Sequence, residues 1–224
     1  MVHRVLWRVG SKDSLDFWAE RLGVERTGDT LRFADPEGLD HELVIDTSGE
    51  EPLTAEHPEI PSEHALRGFA GVRAYAFDTT RSERFLSGLG FEPGWVARGD
   101  DRSGTYVYDE APEAVSIPGA GTVHHVAWAS QPDDHEAWRD RVRAVGGSPT
   151  PVIERFYFKS IYFREPNGIL FELATMGPGF DTDEDIEHLG EKLTLPPRFE
   201  PMREQIERVL TPLPNPRATQ EVGS

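Results

Sequence analysis

The sequence predicts an α+β fold built from tandem βαβββ modules, three copies plus a C-terminal helical tail, and two self-alignments carry that reading. "VHRVLW" (2–7) matches "VHHVAW" (123–128), and "LRFADPEGLDHELV" (31–44) matches "IYFREPNGILFELA" (161–174) at compatible spacing. Agreement at both ends of a unit is the mark of a repeated supersecondary module.

The elements follow in order. Within the outer copies lie the helical stretches "DSLDFWAERLG" (13–23) and "DDHEAWRDRVRAVGG" (133–147), acidic at the start and closed by Gly, as the helix dipole and C-caps favour. Each copy then has two or three strands, the last two joined by a Pro-x-Gly turn, "DPEG" or "EPNG". A weaker middle copy runs from "GVRAYAFD" (71–78) through the helix "TRSERFLSGLGF" (80–91) to "GTYVYD" (104–109). The expected division is an unpaired module at 1–46, a polar, Pro-containing linker at 47–66, two paired modules at 67–176 forming a metal and substrate domain, and an extension at 177–224. That extension carries an amphipathic helix around 200–210 and a Pro-rich tail.

Composition bounds the function. The 224 residues suffice for a real apolar core, and the absence of cysteine removes disulfides, zinc–thiolate sites and thiol nucleophiles together. Lys and Arg number 23 against 40 Asp and Glu, a formal charge of −17, which argues against nucleic acid and anionic membranes as partners. No apolar run approaches the roughly 20 residues of a membrane span, and a cytoplasmic location is expected. There is no Gly-rich phosphate loop and no Ser elbow.

Strand parity locates the chemistry. In "TVHHVAWAS", His125, Ala127 and Ala129 share one face and His124, Val126 and Trp128 the other, so the alanine side leaves space beside His125. In "ILFELAT", Glu172 opposes Ile169, Phe171 and Leu173, and a carboxylate in so apolar a strand is costly unless paired or metal-bound. Arg155, Tyr157 and Lys159 alternate with Phe156 and Phe158, and Ser160, Tyr162 and Arg164 with Ile161 and Phe163. Imidazole and carboxylate suit a non-haem Fe(II), Mn(II) or Zn(II) centre. A hydrogen-bonded core His and an Arg–Glu salt bridge are the plainer readings of the same residues. His57, His64, His188 and the acidic run 181–185 read as surface features.

The repeated module, with His on a first strand and Glu on a last, resembles the vicinal oxygen chelate superfamily of glyoxalases, bleomycin-resistance proteins and extradiol dioxygenases. "PSEHALRGFAG", "TVHHVAWA", "RFYFKSIYFREPNGILFELAT" and "GPGFDTDED" are similar to hydroquinone-type ring-cleaving dioxygenases, whose members carry four modules. The resemblance covers essentially the whole chain, as the last three modules. It implies Fe(II), or Mn(II), held by His125 and Glu172, with Arg155 and Tyr162 holding the substrate and His124 assisting proton transfer. A further His ligand is expected after "EHALRGF", where Ala70 stands; His64 accompanies that ligand in the family pattern rather than replacing it. In the first module Arg4 occupies the position of His125 and Glu42 that of Glu172.

The resemblance implies a dioxygenase acting on a small aromatic substrate with O2. The third protein ligand is not identified; Tyr75, Tyr106 or water are the candidates. A metal-free or weakly metallated aromatic-ligand-binding protein of the same fold is the alternative, and a glyoxalase-type lyase or isomerase the second. The odd module count leads to the expectation of either a late start codon or a homo-oligomer that covers the first module's sheet edge.

Overall fold

The computed structural model describes residues 1–99, 102–113 and 117–213, and its fold is mixed α+β with two sheets. The first copy comprises β1 (Val2–Val9), α1 (Lys12–Leu22), β2 (Thr30–Ala34) and β3 (Asp40–Ile45). The second comprises β4 (Phe69–Ala76), α2 (Thr80–Leu89), β5 (Val96–Arg98) and β6 (Ser103–Glu110). The third comprises β7 (Val126–Ser130), α3 (His135–Ala144), β8 (Ile153–Glu154), β9 (Lys159–Arg164) and β10 (Leu170–Thr175).

Local chemistry sets the boundaries. Ser11 caps α1 by accepting from the Ser14 amide at 3.2 Å, satisfying one of the amides a helix start leaves open. The two Pro-x-Gly turns are built alike: Asp35 Oδ1 accepts the Leu39 amide at 2.9 Å and Glu165 Oε1 the Ile169 amide at 3.0 Å. Gly38 and Gly168 take φ of 90° and 86° in these turns, a region in which a Cβ is strained.

In every copy the first strand pairs parallel with the last, and the last pairs antiparallel with the strand before it. Among the described residues only the third copy completes βαβββ. In the other two, the extra strand is reduced to isolated bridges, Thr27↔Thr30 and Glu92↔Val96, because the polar, Gly-containing stretches there offer little apolar surface to anchor a strand.

The sheets are ordered β2-β3-β1-β4-β6-β5 and β7-β10-β9-β8. This corrects the expectation that the first copy stands unpaired. β1 lies between β3 and β4, with Arg4 opposite Arg73 and Leu6 opposite Gly71, so its backbone groups on both sides are satisfied within the chain.

Two cores stabilise the assembly. Val9, Leu15, Leu31 and Leu43 pack beneath α1 with Trp7 and Trp18. The larger cluster joins Ala74, Phe85, Leu86, Leu89 and Tyr106 of the second copy to Val142, Ile161, Phe163, Phe171 and Leu173 of the third. The second copy therefore shares its sheet with the first and its core with the third. Buried Glu165 spans the latter junction, its Oε2 accepting from Ser82 Oγ at 3.0 Å and from the Tyr108 hydroxyl at 2.7 Å.

After β10 the chain forms short 3-10 turns at Phe180–Thr182, Ile186–His188 and Glu200–Met202. The helix expected around 200–210 is α4 (Arg203–Val209), led in by the last of these turns. Most of the Pro-rich tail, from residue 214 on, lies outside the described residues. No described helix is long and apolar enough to cross a membrane.

Candidate functional site

The site is built on the open face of the third copy. Along β10, Phe171 and Leu173 enter the core; alternation turns Glu172 to the other side, yet it is only 3% exposed. Its carboxylate is satisfied at both oxygens: Ser160 Oγ donates to Oε1 at 2.5 Å, and His125 Nε2 lies 2.8 Å from Oε2. On the far side of the ring, His125 Nδ1 is 2.9 Å from His124 Nδ1, one of the two donating. Ser160, Glu172, His125 and His124 thus form a continuous line of close polar contacts from a buried serine to an exposed imidazole.

That line corrects the parity argument. β7 begins at Val126, so both histidines precede the strand and do not alternate across it. His124 is exposed and hydrogen-bonds its neighbour instead of packing on the opposite face. Val126 and Trp128 do pack against the core as the alternation predicted.

Tyr162 faces Glu172 directly in the β9–β10 register and stands edge-on to the His125 ring, with centroids 5.9 Å apart. Arg155 places its guanidinium 5.5 Å from the Tyr162 ring centre and donates to the hydroxyl at 3.4 Å, a cation held over an aromatic face. A tight turn presents Arg155: its amide donates to the Phe158 carbonyl at 2.9 Å, and Phe156 adopts φ 78°, a left-handed conformation that non-glycine residues keep only where the surroundings impose it. The chain after β10 supplies that constraint. The Gly179 amide donates to the Tyr157 carbonyl at 2.9 Å, the Tyr157 hydroxyl donates to Asp183 at 3.0 Å, and Phe180 packs on the Tyr157 ring. Burial, and then Asp183 beside it, push the Tyr157 hydroxyl's pKa up.

The residues considered for a third ligand fall elsewhere. Tyr75 stacks on His3 at 4.0 Å. Tyr106 is fully buried against Phe171, on the core side of β10 away from Glu172, and its pKa is raised, chiefly by desolvation. His64 stacks on Phe17 and hydrogen-bonds Ser14, bracing α1. Ala70 lines a cleft of about 820 Å³ that is also lined by His125. Among the described residues no group of three His, Asp or Glu side chains gathers around one point.

The cleft runs between the second and third copies, walled by Phe91, Trp128, Trp138, Phe163, Phe171 and Leu173. It meets the histidine–carboxylate pair at His125 only; Glu172, Tyr162 and Arg155 stand outside its lining. Two features were missed from sequence. Ser160, the partner of Glu172, shares the alternating face of Tyr162 and could have been found by parity. The cleft could not, since its walls come from elements far apart along the chain.

The first copy holds an internal counterpart. Leu6 pairs with Glu42 as Ala127 pairs with Glu172, so Arg4 occupies the place of His125. Glu42 is 5% exposed and ion-paired to Arg4 at 3.1 Å and Arg32 at 3.2 Å. A guanidinium neutralises the carboxylate there, and the position is closed to a cation.

Comparison with known proteins agrees with this architecture. A family model for the Glyoxalase/Bleomycin resistance protein/Dioxygenase superfamily matches residues 2–173. The chain is 36% identical over 219 residues to "Putative ring-cleaving dioxygenase MhqO" of Bacillus subtilis (strain 168), covering 90% of this chain and 70% of that protein. It is 31% identical over 230 residues to the chlorohydroquinone/hydroquinone 1,2-dioxygenase of Sphingobium indicum, covering 88% and 69%. The crystal structure of a "putative dioxygenase" from Bacillus subtilis subsp. subtilis str. 168 superposes with a TM-score of 0.82 at 35% identity, covering 96% of this chain and 74% of that one.

Proposed function

Because the chain belongs to the glyoxalase/bleomycin resistance protein/dioxygenase superfamily, we propose that it is an Fe(II)-dependent ring-cleaving dioxygenase of small aromatic diols, with residues 67–176 as its metal and substrate domain. The observation that carries this reading is the convergence of His125 Nε2 and Glu172 Oε2 at 2.8 Å on an open face, beside Tyr162 and Arg155. Relatives whose names carry ring-cleaving and hydroquinone dioxygenase activity support it.

The donor set fits a divalent cation. Adjacent ligand atoms at metal bonds of about 2.1 Å stand about 3 Å apart, so a nitrogen and an oxygen at 2.8 Å need little movement to share an ion. His125 and Glu172 would hold Fe(II) or Mn(II), leaving positions for substrate and O2. The ion, when bound, supplies Lewis acidity and the means of activating O2.

The protein groups do the rest. Ser160 holds Glu172 in one rotamer by donating to its second oxygen. Arg155 and Tyr162 orient the phenolate oxygen of the diol, the guanidinium favouring its ionised form. His124, exposed and hydrogen-bonded to His125, takes a proton from the substrate hydroxyl at the mouth of the site. Ala70 favours a second reading, a metal-free or weakly metallated protein that binds an aromatic ligand on the same face.

Reconstitution under nitrogen with Fe(II) or Mn(II), followed by metal analysis and O2-uptake assays with hydroquinone and catechol, separates the two. The dioxygenase requires bound metal and O2 consumption. Retention below about a tenth of an equivalent with ligand binding indifferent to chelator establishes the binding protein instead.

A further inference from the structure

We propose that the cleft between the second and third copies takes an apolar substituent of the ligand, so that the preferred molecule is an aromatic diol bearing an extended alkyl chain or second ring. This rests on the proposed reading of the His125–Glu172 face as the place where the diol is held.

At about 820 Å³ the cleft falls within the range of sites that enclose whole drug-sized ligands, well beyond one bare ring. Protein interiors pack to crystal-like density, and large aromatic walls left facing water are unfavourable until something apolar covers them. Phe69, Phe91, Trp128 and Trp138, each exposed or only half-buried, form such walls over the buried floor of Phe163 and Leu173.

His125 lines the cleft and at the same time contacts Glu172. His125 is the residue the pair and the cleft share, so a substituent on a ring held against that imidazole borders the cleft.

Charge selects the class of substituent. Arg98, Arg102 and Arg141 also line the cleft, which at first suggests an anionic group. Each is engaged within the protein: Arg98 by Glu92, Arg102 by the carbonyls of Glu51 and Arg67, Arg141 by the Gly88 carbonyl. Arg141 also lies 5.1 Å from the centre of the Trp138 ring. Among the described residues only Arg98 of the three is neutralised by an ion pair; beyond these guanidiniums most of the lining is aromatic and aliphatic surface.

The test is binding without turnover, by calorimetry and tryptophan fluorescence under nitrogen, using hydroquinone and its methyl, butyl and hexyl derivatives, with hexanol as competitor. Affinity should rise up to about fourfold per methylene, and hexanol should displace hexylhydroquinone. Ala97 on β5 lines the cleft, so Ala97→Trp should flatten the series. Should that variant fail to fold, Gly104→Leu serves, because a Cβ there meets the Trp128 ring at an ordinary 3.5 Å. Affinity independent of chain length, or an equal gain in wild type and the filled variants, overturns the proposal. A protein that shows the full chain-length series yet consumes no O2 upholds the cleft and refutes the dioxygenase.

Discussion

His125 Nε2 lies 2.8 Å from Glu172 Oε2, and the two corresponding residues of the first copy, Arg4 and Glu42, lie 3.1 Å apart. One repeat thus answers the cost of a buried carboxylate with a fixed cation, the other with an imidazole whose partner is exchangeable. If the second arrangement holds metal, His125→Ala and Glu172→Gln should each reduce Fe(II) or Mn(II) affinity by about a hundredfold or more. Arg4→Ala, in the first copy, should leave metal content unchanged. Metal analysis after gel filtration checks all three, and equal loss in the Arg4 variant would point to general unfolding.

Ala70 lines the same cleft as His125. A third protein ligand raises the affinity of a two-ligand site and restores the facial arrangement that O2 chemistry uses. Ala70→His should slow metal loss during dialysis against a chelator at least about tenfold, which is about 1.4 kcal/mol of binding. An unchanged rate would mean that position 70 does not reach the ion.

Arg155 and Tyr162 are expected to act on substrate rather than on the metal. Arg155→Lys retains charge but loses the planar group held 5.5 Å from the Tyr162 ring. It should raise KM about tenfold, with metal content at the wild-type level. Tyr162→Phe should do the same more weakly, since it removes one hydroxyl and leaves the ring beside His125. Steady-state O2 uptake with parallel metal analysis measures both.

The sequence made the repeat legible because alternation and turn chemistry are local. The Pro-x-Gly turns, the first and last strands and the apolar set at Ile161, Phe163, Phe171 and Leu173 all follow from period-two spacing. The histidines were harder. "TVHHVAWAS" carries a strand's alternation throughout, but β7 starts at Val126, and parity has no meaning for the residues before it. Sheet order was not legible at all. That β1 pairs with β4 depends on which edges meet after collapse, which neither strand encodes by itself.

Glu165 is 2% exposed and receives hydrogen bonds from Ser82, Tyr108 and the Ile169 amide, tying α2 and β6 to the turn before β10. Removing it leaves buried donors without an acceptor. Glu165→Ala should cost about 2–4 kcal/mol and Glu165→Gln about 1–2 kcal/mol. Urea unfolding monitored by tryptophan fluorescence checks this, and a value near zero for the alanine variant would exclude a structural role for the network.

Acid should weaken the six-stranded sheet in two stages. Asp109 accepts from Arg73 at 2.7 and 2.5 Å and from His3 at 2.8 Å, and these contacts, the Arg73 bonds foremost, lower its pKa to about 2. A carboxylate whose pKa falls on folding stabilises the fold above its unfolded pKa of about 3.9 and loses that contribution as pH drops through the folded value. The loss belongs between about pH 4 and 2 and, given the partial exposure of the group, amounts to about 1–2 kcal/mol. His3 is lowered as well, by burial, against the opposing pull of Asp109. The folded state therefore takes up its proton less readily than the unfolded chain, and stability falls as pH drops below about 6.5. Both groups make stability rise with pH, in separate windows. Asp109→Asn should reduce the lower stage, to which the lowered Asp46 and Glu50 also contribute, and His3→Gln the upper one, to which buried His135 also contributes. Urea midpoints measured from pH 2.5 to 7.5 resolve the two, and a wild-type profile with no slope between pH 4 and 2.5 would show that the Arg73–Asp109 pair contributes nothing on folding.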